Sequence, residues 1–242
     1  MKNFVLVFCF AVSAALANQL AAQTADDIVA AYCKAIGGKE KLAKLKTMKA
    51  TMRMNYGGMI EMDAVQYAEA PNKSRVEATV QGKTVVEVFD GKTAWGINPF
   101  ESGDKPVKKT PEEALIAQEN EFPEALMFYK ERGHKIELLG QEDVEGAKCH
   151  KIKLVHGATG GETHHFIDVE NNVLLMTRSF PKSGQMKGAT LETYYSDYAE
   201  HDGLMFAMSS TQKMNGETFM TISILKIEQN AKLDKKLFSF PK

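Results

Sequence analysis

From residue 48 onward the chain alternates strictly: Met48, Ala50, Met52 and Met54 are apolar, and Lys49, Thr51, Arg53 and Asn55 are polar. Neighbouring side chains of a strand point to opposite faces, so this pattern predicts a strand with one apolar and one wet face. Upstream the period is helical. Ile28, Ala31, Tyr32, Ala35 and Ile36 recur at turn spacing behind Thr24-Ala25-Asp26-Asp27, which supplies an N-cap and first-turn acids, and Gly37-Gly38 supplies the stop. A second short helix is expected over residues 39–45, with Leu42 and Leu45 against a lysine-rich face that reads as solvated surface.

The alternation continues after Gly57-Gly58 over 59–69, and after Pro71-Asn72 over 73–81, where Val76, Ala78 and Val80 oppose Arg75, Glu77 and Thr79. A return strand leads into Asp90-Gly91, read as a two-residue hairpin loop, and a strand over 92–98 carries Trp95 and ends at Asn98-Pro99. Four strands joined by short turns predict an antiparallel meander. The pattern then breaks. Thr110-Pro111-Glu112-Glu113 is a capping sequence for a helical insert spanning 110–130, apolar in its second half and interrupted at Pro123. That apolar half has to be buried, and the sheet's apolar face is the nearest place for it.

Seven further strands are expected, at 134–144, 148–155, 162–169, 173–180, 188–198, 204–214 and 217–229. Asn171-Asn172 and Asn215-Gly216 read as two-residue loops. The final Leu237-Phe238-Ser239-Phe240-Pro241 reads as an apolar tail docked on the body. The fold class predicted is mainly β: a curved antiparallel sheet of 11–12 strands forming an incomplete barrel covered by helices. No linker or composition shift divides residues 23–242, so one domain is expected, with two domains split near Arg132-Gly133 as the competing reading.

Residues 1–22 fall outside that domain. Lys2 precedes an unbroken apolar run from Phe4 to Val12, and Ala15-Leu16-Ala17 and Ala22 offer cleavage positions, so a signal peptide and export are expected. Cleavage after Ala22 removes one charged residue and leaves 29 basic groups against 31 acidic ones, a net charge of −2. That balance argues against nucleic acid as a partner. Cys33 and Cys149 have no disulfide spacing and read as small buried hydrophobes.

Catalytic chemistry is hard to find. His164 and His165, adjacent on a strand, point to opposite faces and cannot share a metal; His150 and His156 lie on one face of a neighbouring strand only if the register cooperates. There is no nucleophile elbow, no isolated carboxylate pair and no phosphate loop, so no enzyme, cofactor or metal is expected. The 13 methionines are the positive signal. Met is flexible and polarizable, suited to surfaces that take ligands of varied shape, and a bent sheet under a helical insert leaves an apolar cavity for acyl chains. The candidate lining residues are Met52, Met54, Met62, Val76, Trp95, Phe122, Leu126 and Phe128.

The runs Ala70-Pro71-Asn72, Arg75, Asp90-Gly91-Lys92-Thr93-Ala94-Trp95 and Asn98-Pro99-Phe100 resemble those of LolA-type periplasmic lipoprotein carriers. Residues 25–29, 36–42, 202–206 and 237–241 are similar to the longer outer-membrane lipoprotein-sorting relatives. The resemblance implies a monomeric periplasmic carrier whose hydrophobic cavity shields lipoprotein acyl chains or lipids on the way to the outer membrane, between an inner-membrane exporter and an outer-membrane receptor. It also implies an Arg before Pro-Asn that holds the lid closed and an aromatic just after it. Here those positions hold Ala70 and Ser74, with Arg75 nearby. The alternative reading of the same fold is a lipid-sensing or envelope-stress regulatory scaffold.

Overall fold

A computed structural model describes residues 23–241 except 183 and 185, so the expected signal peptide lies outside the described residues. Helices α1 (Ala25–Ala35) and α2 (Lys39–Lys44) lead into strands β1 (Thr47–Tyr56), β2 (Ile60–Glu69), β3 (Lys73–Val80), β4 (Lys83–Phe89), β5 (Ala94–Asn98) and β6 (Gly103–Lys108). Helix α3 (Pro111–Glu119) and a 3-10 turn (Ala125–Phe128) follow. The second half contains β7 (Lys135–Val144), β8 (Ala147–Val155), β9 (Glu162–Asp168), β10 (Leu174–Ser179), β11 (Leu191–His201), β12 (Leu204–Met214) and β13 (Glu217–Gln229), then a 3-10 turn at Lys235–Phe238.

All 13 strands belong to one antiparallel sheet, ordered β6-β5-β4-β3-β2-β1-β13-β12-β11-β10-β9-β8-β7. The sheet is not closed: β6 and β7 are its two edges, and the segment holding α3 joins one edge to the other. The mainly β, incomplete-barrel expectation is borne out. The thirteenth strand is β6, whose Gly-Asp-Lys-Pro-Val-Lys has no alternation to betray it; Pro106 is tolerated because the strand lies at an edge.

Local chemistry explains most boundaries. Thr24 and Asp27 form a reciprocal capping box at α1, and Thr110 with Glu113 does the same at α3. Asn215 (φ 52°) and Gly216 (φ 86°) both take the left-handed conformation, so β12 and β13 are joined by the two-residue loop expected. Two other hairpins differ. Asp90-Gly91 begins a four-residue loop in which the Asp90 carboxylate accepts from Lys92 N–H (2.8 Å) and Thr93 N–H (2.7 Å), and only Gly91 has positive φ. An Asx turn thereby replaces the tight loop. Asn171-Asn172 likewise lies in a longer connection, where the Asp168 carboxylate takes bonds from Asn171.

Paired strands fix the two faces. On the inner face, α1, α2 and the 125–128 turn pack Ile28, Tyr32, Leu42, Leu45 and Leu126 against Ile152, Leu154, Ile167 and Leu174. That covers the half of the sheet built by β7 to β10. On the outer face the C-terminal tail covers β4 and β5: Phe238, with Leu237 and Phe240, packs on Val86, Val88 and Trp95. Cys33 and Cys149 are free and buried, as expected.

Candidate functional site

The other half of the inner face has no comparable helical cover. Met54 pairs with Met62 on one side and Ile222 on the other, and Met52 pairs with Ala64 and Ile224. Ala64 in turn pairs with Ala78. Residues directly opposite in antiparallel strands share a face, so these form an apolar patch across β3, β2, β1 and β13. Ile222 pairs with Ser210, which pairs with Tyr195, and Tyr195 packs against the α1 cluster; the patch is therefore on the helix side. Ala50, Met52 and Ala64 are buried at its floor, while Met54, Ala78, Ile222 and Ile224 are only partly covered.

Helix α3, the nearest helix in sequence, lies against β4 and β5 and contributes no buried residue. The expectation that the insert buries its apolar half holds for the turn after Pro123, where Ala125, Leu126 and Met127 are buried. Helix α3 itself spreads its apolar residues around its circumference and has no face to bury.

The predicted lining residues divide into three groups. Met52, Met54 and Met62 belong to the patch, and Val76 is on the same face through its pairing with Gln66 and then Ala50. Phe122, Leu126 and Phe128 lie in the helix-covered core, with Leu126 fully buried, so they support the segment rather than open onto the patch. Trp95 is elsewhere: it pairs with Val88, then Arg75, Tyr67 and Lys49, which is the outer face. Ile222 and Ile224 were missed, although Met220-Thr221-Ile222-Ser223-Ile224 alternates as plainly as the first strand.

The segment that crosses the inner face is held by two polar clusters. Arg132 donates to the carbonyls of Pro123 (2.7 Å) and Phe122 (3.1 Å) and to Glu121 (2.6 Å), with its guanidinium 5.0 Å from the Phe128 ring centre. In the second cluster the Tyr32 hydroxyl donates to Glu124 (2.7 Å), whose other oxygen lies 3.3 Å from His165 Nε2. Burial, reinforced by the Glu124 carboxylate, holds the Tyr32 phenol well above its ordinary pKa. Arg75 takes no part in this: it donates to Leu237 O on the outer face and sits over the Trp95 ring. Ala70 and Pro71, with Leu45, Pro123, Phe128 and Arg132, border a cleft of about 370 Å³ where the segment meets the β2–β3 turn.

Glu121, His134 and His156 bring ligand-type atoms within 4.8 Å of one another. The hydrogen bonding disfavours a metal there. Gly157 N–H donates to His134 Nδ1 (3.0 Å), so in the neutral ring Nε2 keeps its proton and faces Glu121 at 2.9 Å rather than offering a lone pair. Burial, with His134 and His165 nearby, lowers the pKa of His156 to about 4. His164 and His165 diverge as expected, one against Phe180 on the outer side and one toward Glu124.

No helix among the described residues is long and apolar enough to cross a membrane. No family model and no curated protein matches the sequence. Solved structures do match. A crystal structure of an outer membrane lipoprotein-sorting protein domain from Vibrio parahaemolyticus aligns with a TM-score of 0.58 at 11% identity, over 89% of this chain and 96% of that one. A LolA superfamily protein from Nitrosomonas europaea aligns with a TM-score of 0.56 at 13% identity, over 89% and 97% of the two chains. The open 13-stranded sheet with its helices is therefore the fold of LolA-superfamily and outer-membrane lipoprotein-sorting structures.

Proposed function

We propose that this protein is an exported, periplasmic carrier that holds acyl chains of lipids or lipoproteins on the uncovered half of its inner face. The observation that carries the reading is the apolar patch around Met54, Met62, Ala78, Ile222 and Ile224, half-buried on the inner face. Nothing in the patch makes or breaks bonds; its side chains are methyls and thioethers. Each methylene buried there contributes about 0.8 kcal/mol, so one chain of ordinary length binds well without any polar anchor. Transfer toward the outer membrane, from an inner-membrane donor to an outer-membrane acceptor, is the finer form of the proposal. With alanine at position 70, the crossing segment is held by Arg132 and by Tyr32-Glu124-His165.

The test is native mass spectrometry of protein purified from a double-membraned bacterium, together with titration of a fluorescent fatty acid. Co-purifying lipid and saturable uptake are expected, with uptake reduced in Ile222→Asp. Protein that is lipid-free and takes up no fatty acid would sink the proposal.

A further inference from the structure

Among the described residues 11 large apolar side chains are exposed, and seven of these cluster along a single rim of the sheet. Tyr56, Met59 and Ile60 form the β1–β2 turn, Phe100 the β5–β6 turn, and Met214 the end of β12; Phe180 and Met186 lie in the β10–β11 connection beside it. Antiparallel order places all these turns on one edge, and direct contacts join them. Gly57 N–H donates to Phe219 O (2.9 Å), Asn215 N–H donates to Thr190 O (2.9 Å), and Lys83 lies 5.2 Å from the Phe100 ring centre.

The rim is also where the inner-face patch emerges. Along β1, exposure rises from 5% at Met52 through half-buried Met54 to 49% at Tyr56, and along β2 from 1% at Ala64 through Met62 to 39% at Ile60. These residues share one strand face, so the apolar row runs without a polar break from the floor of the sheet to its edge. Met59, 86% exposed, stands at the tip.

We infer that this rim is a membrane-docking surface that inserts shallowly into a zwitterionic bilayer. Its apolar groups stand one to three per turn and are separated by polar residues, which does not make the contiguous patch a stable protein interface buries. Tyr, Phe and Met on separate tips suit the headgroup–acyl boundary, where each is buried independently. Charge at the rim is mixed, with Lys83, Lys105, Lys182, Lys187 and Lys213 against Glu61, Glu101, Asp104 and Glu217, and Arg53 paired with Asp63 (3.4 Å). A surface whose charges so nearly balance favours apolar insertion over attraction to anionic lipid. Docked in this way, the protein passes an acyl chain between bilayer and inner face without exposing it to water. The inference rests on the rim itself and does not require that lipid be the cargo.

The test is flotation of the purified protein with phosphatidylcholine vesicles, comparing it with Met59→Asp/Phe100→Asp and with Leu225→Asp. Leu225 is 56% exposed on β13 but on the opposite strand face from Ile222 and Ile224, so it serves as the off-rim control. The double variant is expected to partition about tenfold less, and Leu225→Asp as well as the parent. Met59→Asp alone replaces the double variant if the latter melts earlier. Failure of the parent to float, unchanged flotation of the rim variant, or equal loss in Leu225→Asp overturns the inference. So does a dimer that the rim variant dissolves while vesicles go unbound. Fatty-acid uptake measured on the same proteins separates loss of docking from loss of cargo binding.

Discussion

The indole Nε1 of Trp95 donates to the backbone carbonyl of Phe238, 3.1 Å away and 143 residues later in the chain. Arg75 donates to the adjacent Leu237 carbonyl (2.8 Å), and the Phe240 ring meets Trp95 edge-on at 5.7 Å. The tail is thus bound by its backbone as well as its side chains, which a short stretch beyond the last strand needs if it is to stay ordered.

Phe238→Ala is therefore expected to destabilise the protein by about 3 kcal/mol, since it empties a buried aromatic site. Trp95 is the chain's only tryptophan and only 1% exposed, so its fluorescence reports the event directly. The emission maximum should move to the red in native buffer, and the urea midpoint should fall. An unshifted spectrum would mean that the tail is not what keeps Trp95 dry.

Arg132→Ala removes the donors to the Phe122 and Pro123 carbonyls and leaves the Glu121 carboxylate facing only His134 Nε2 (2.9 Å). A loss of about 2 kcal/mol is expected, typical for hydrogen bonds to a charged group. Amide exchange should rise over residues 111–128 and stay constant in β1 and β2. Uniform acceleration across the sheet would assign Arg132 a global role instead.

Ile222→Trp should separate binding from stability. The added ring fills space over Met54 without disturbing the strand pairing, so melting should change little while fatty-acid uptake falls severalfold. Unaltered uptake would place the cargo elsewhere.

Acid should weaken the fold through His156. Its pKa in the folded protein is about 4 against 6.5 for a free ring, so between those values the unfolded chain binds the extra proton. The contribution of the neutral ring is fully present above pH 6.5 and is lost as pH falls toward 4. Stability measured in urea from pH 7.5 to 4.5, roughly the range where carboxylates add little, should decline less steeply in His156→Phe than in the parent. Parallel slopes would exonerate the residue.

The two thiols should be inert. Burial pushes both Cys33 and Cys149 up to about 11, so neither forms much thiolate at neutral pH. Reaction with a thiol reagent is expected only in denaturant, and reductant should leave the melting temperature unchanged.

Alternation made most strands legible, because β1, β2, β3 and the middle of β13 each keep one face apolar and one polar. It did so least where no face is apolar, as in β6, an exposed edge that needs no pattern to survive. The insert was legible as a capped helix but not in its packing, because α3 has no apolar stripe to dictate which side turns inward. The candidate site was legible by half. Parity placed Met52, Met54 and Met62 on one face among themselves, yet parity is local, and no alternation links strand β1 to strand β5 across four turns. The face of Trp95 is set by pairing through Val88, Arg75 and Tyr67, and by where the tail docks. Both are tertiary facts.

The pairing of β1 with β13 places the first and last strands side by side at the middle of the sheet, while the edges come from the middle of the chain. The two halves of the sheet can therefore join only once β13 has been made. A chain ending before Glu217 would have a meander at each end and no seam between them, with β1 and β12 left as long bare edges ready to pair with other molecules. Premature termination should thus be far more damaging than its position near the end of the sequence suggests: the last strand completes the centre of the protein, and each half depends on it for its inner neighbour.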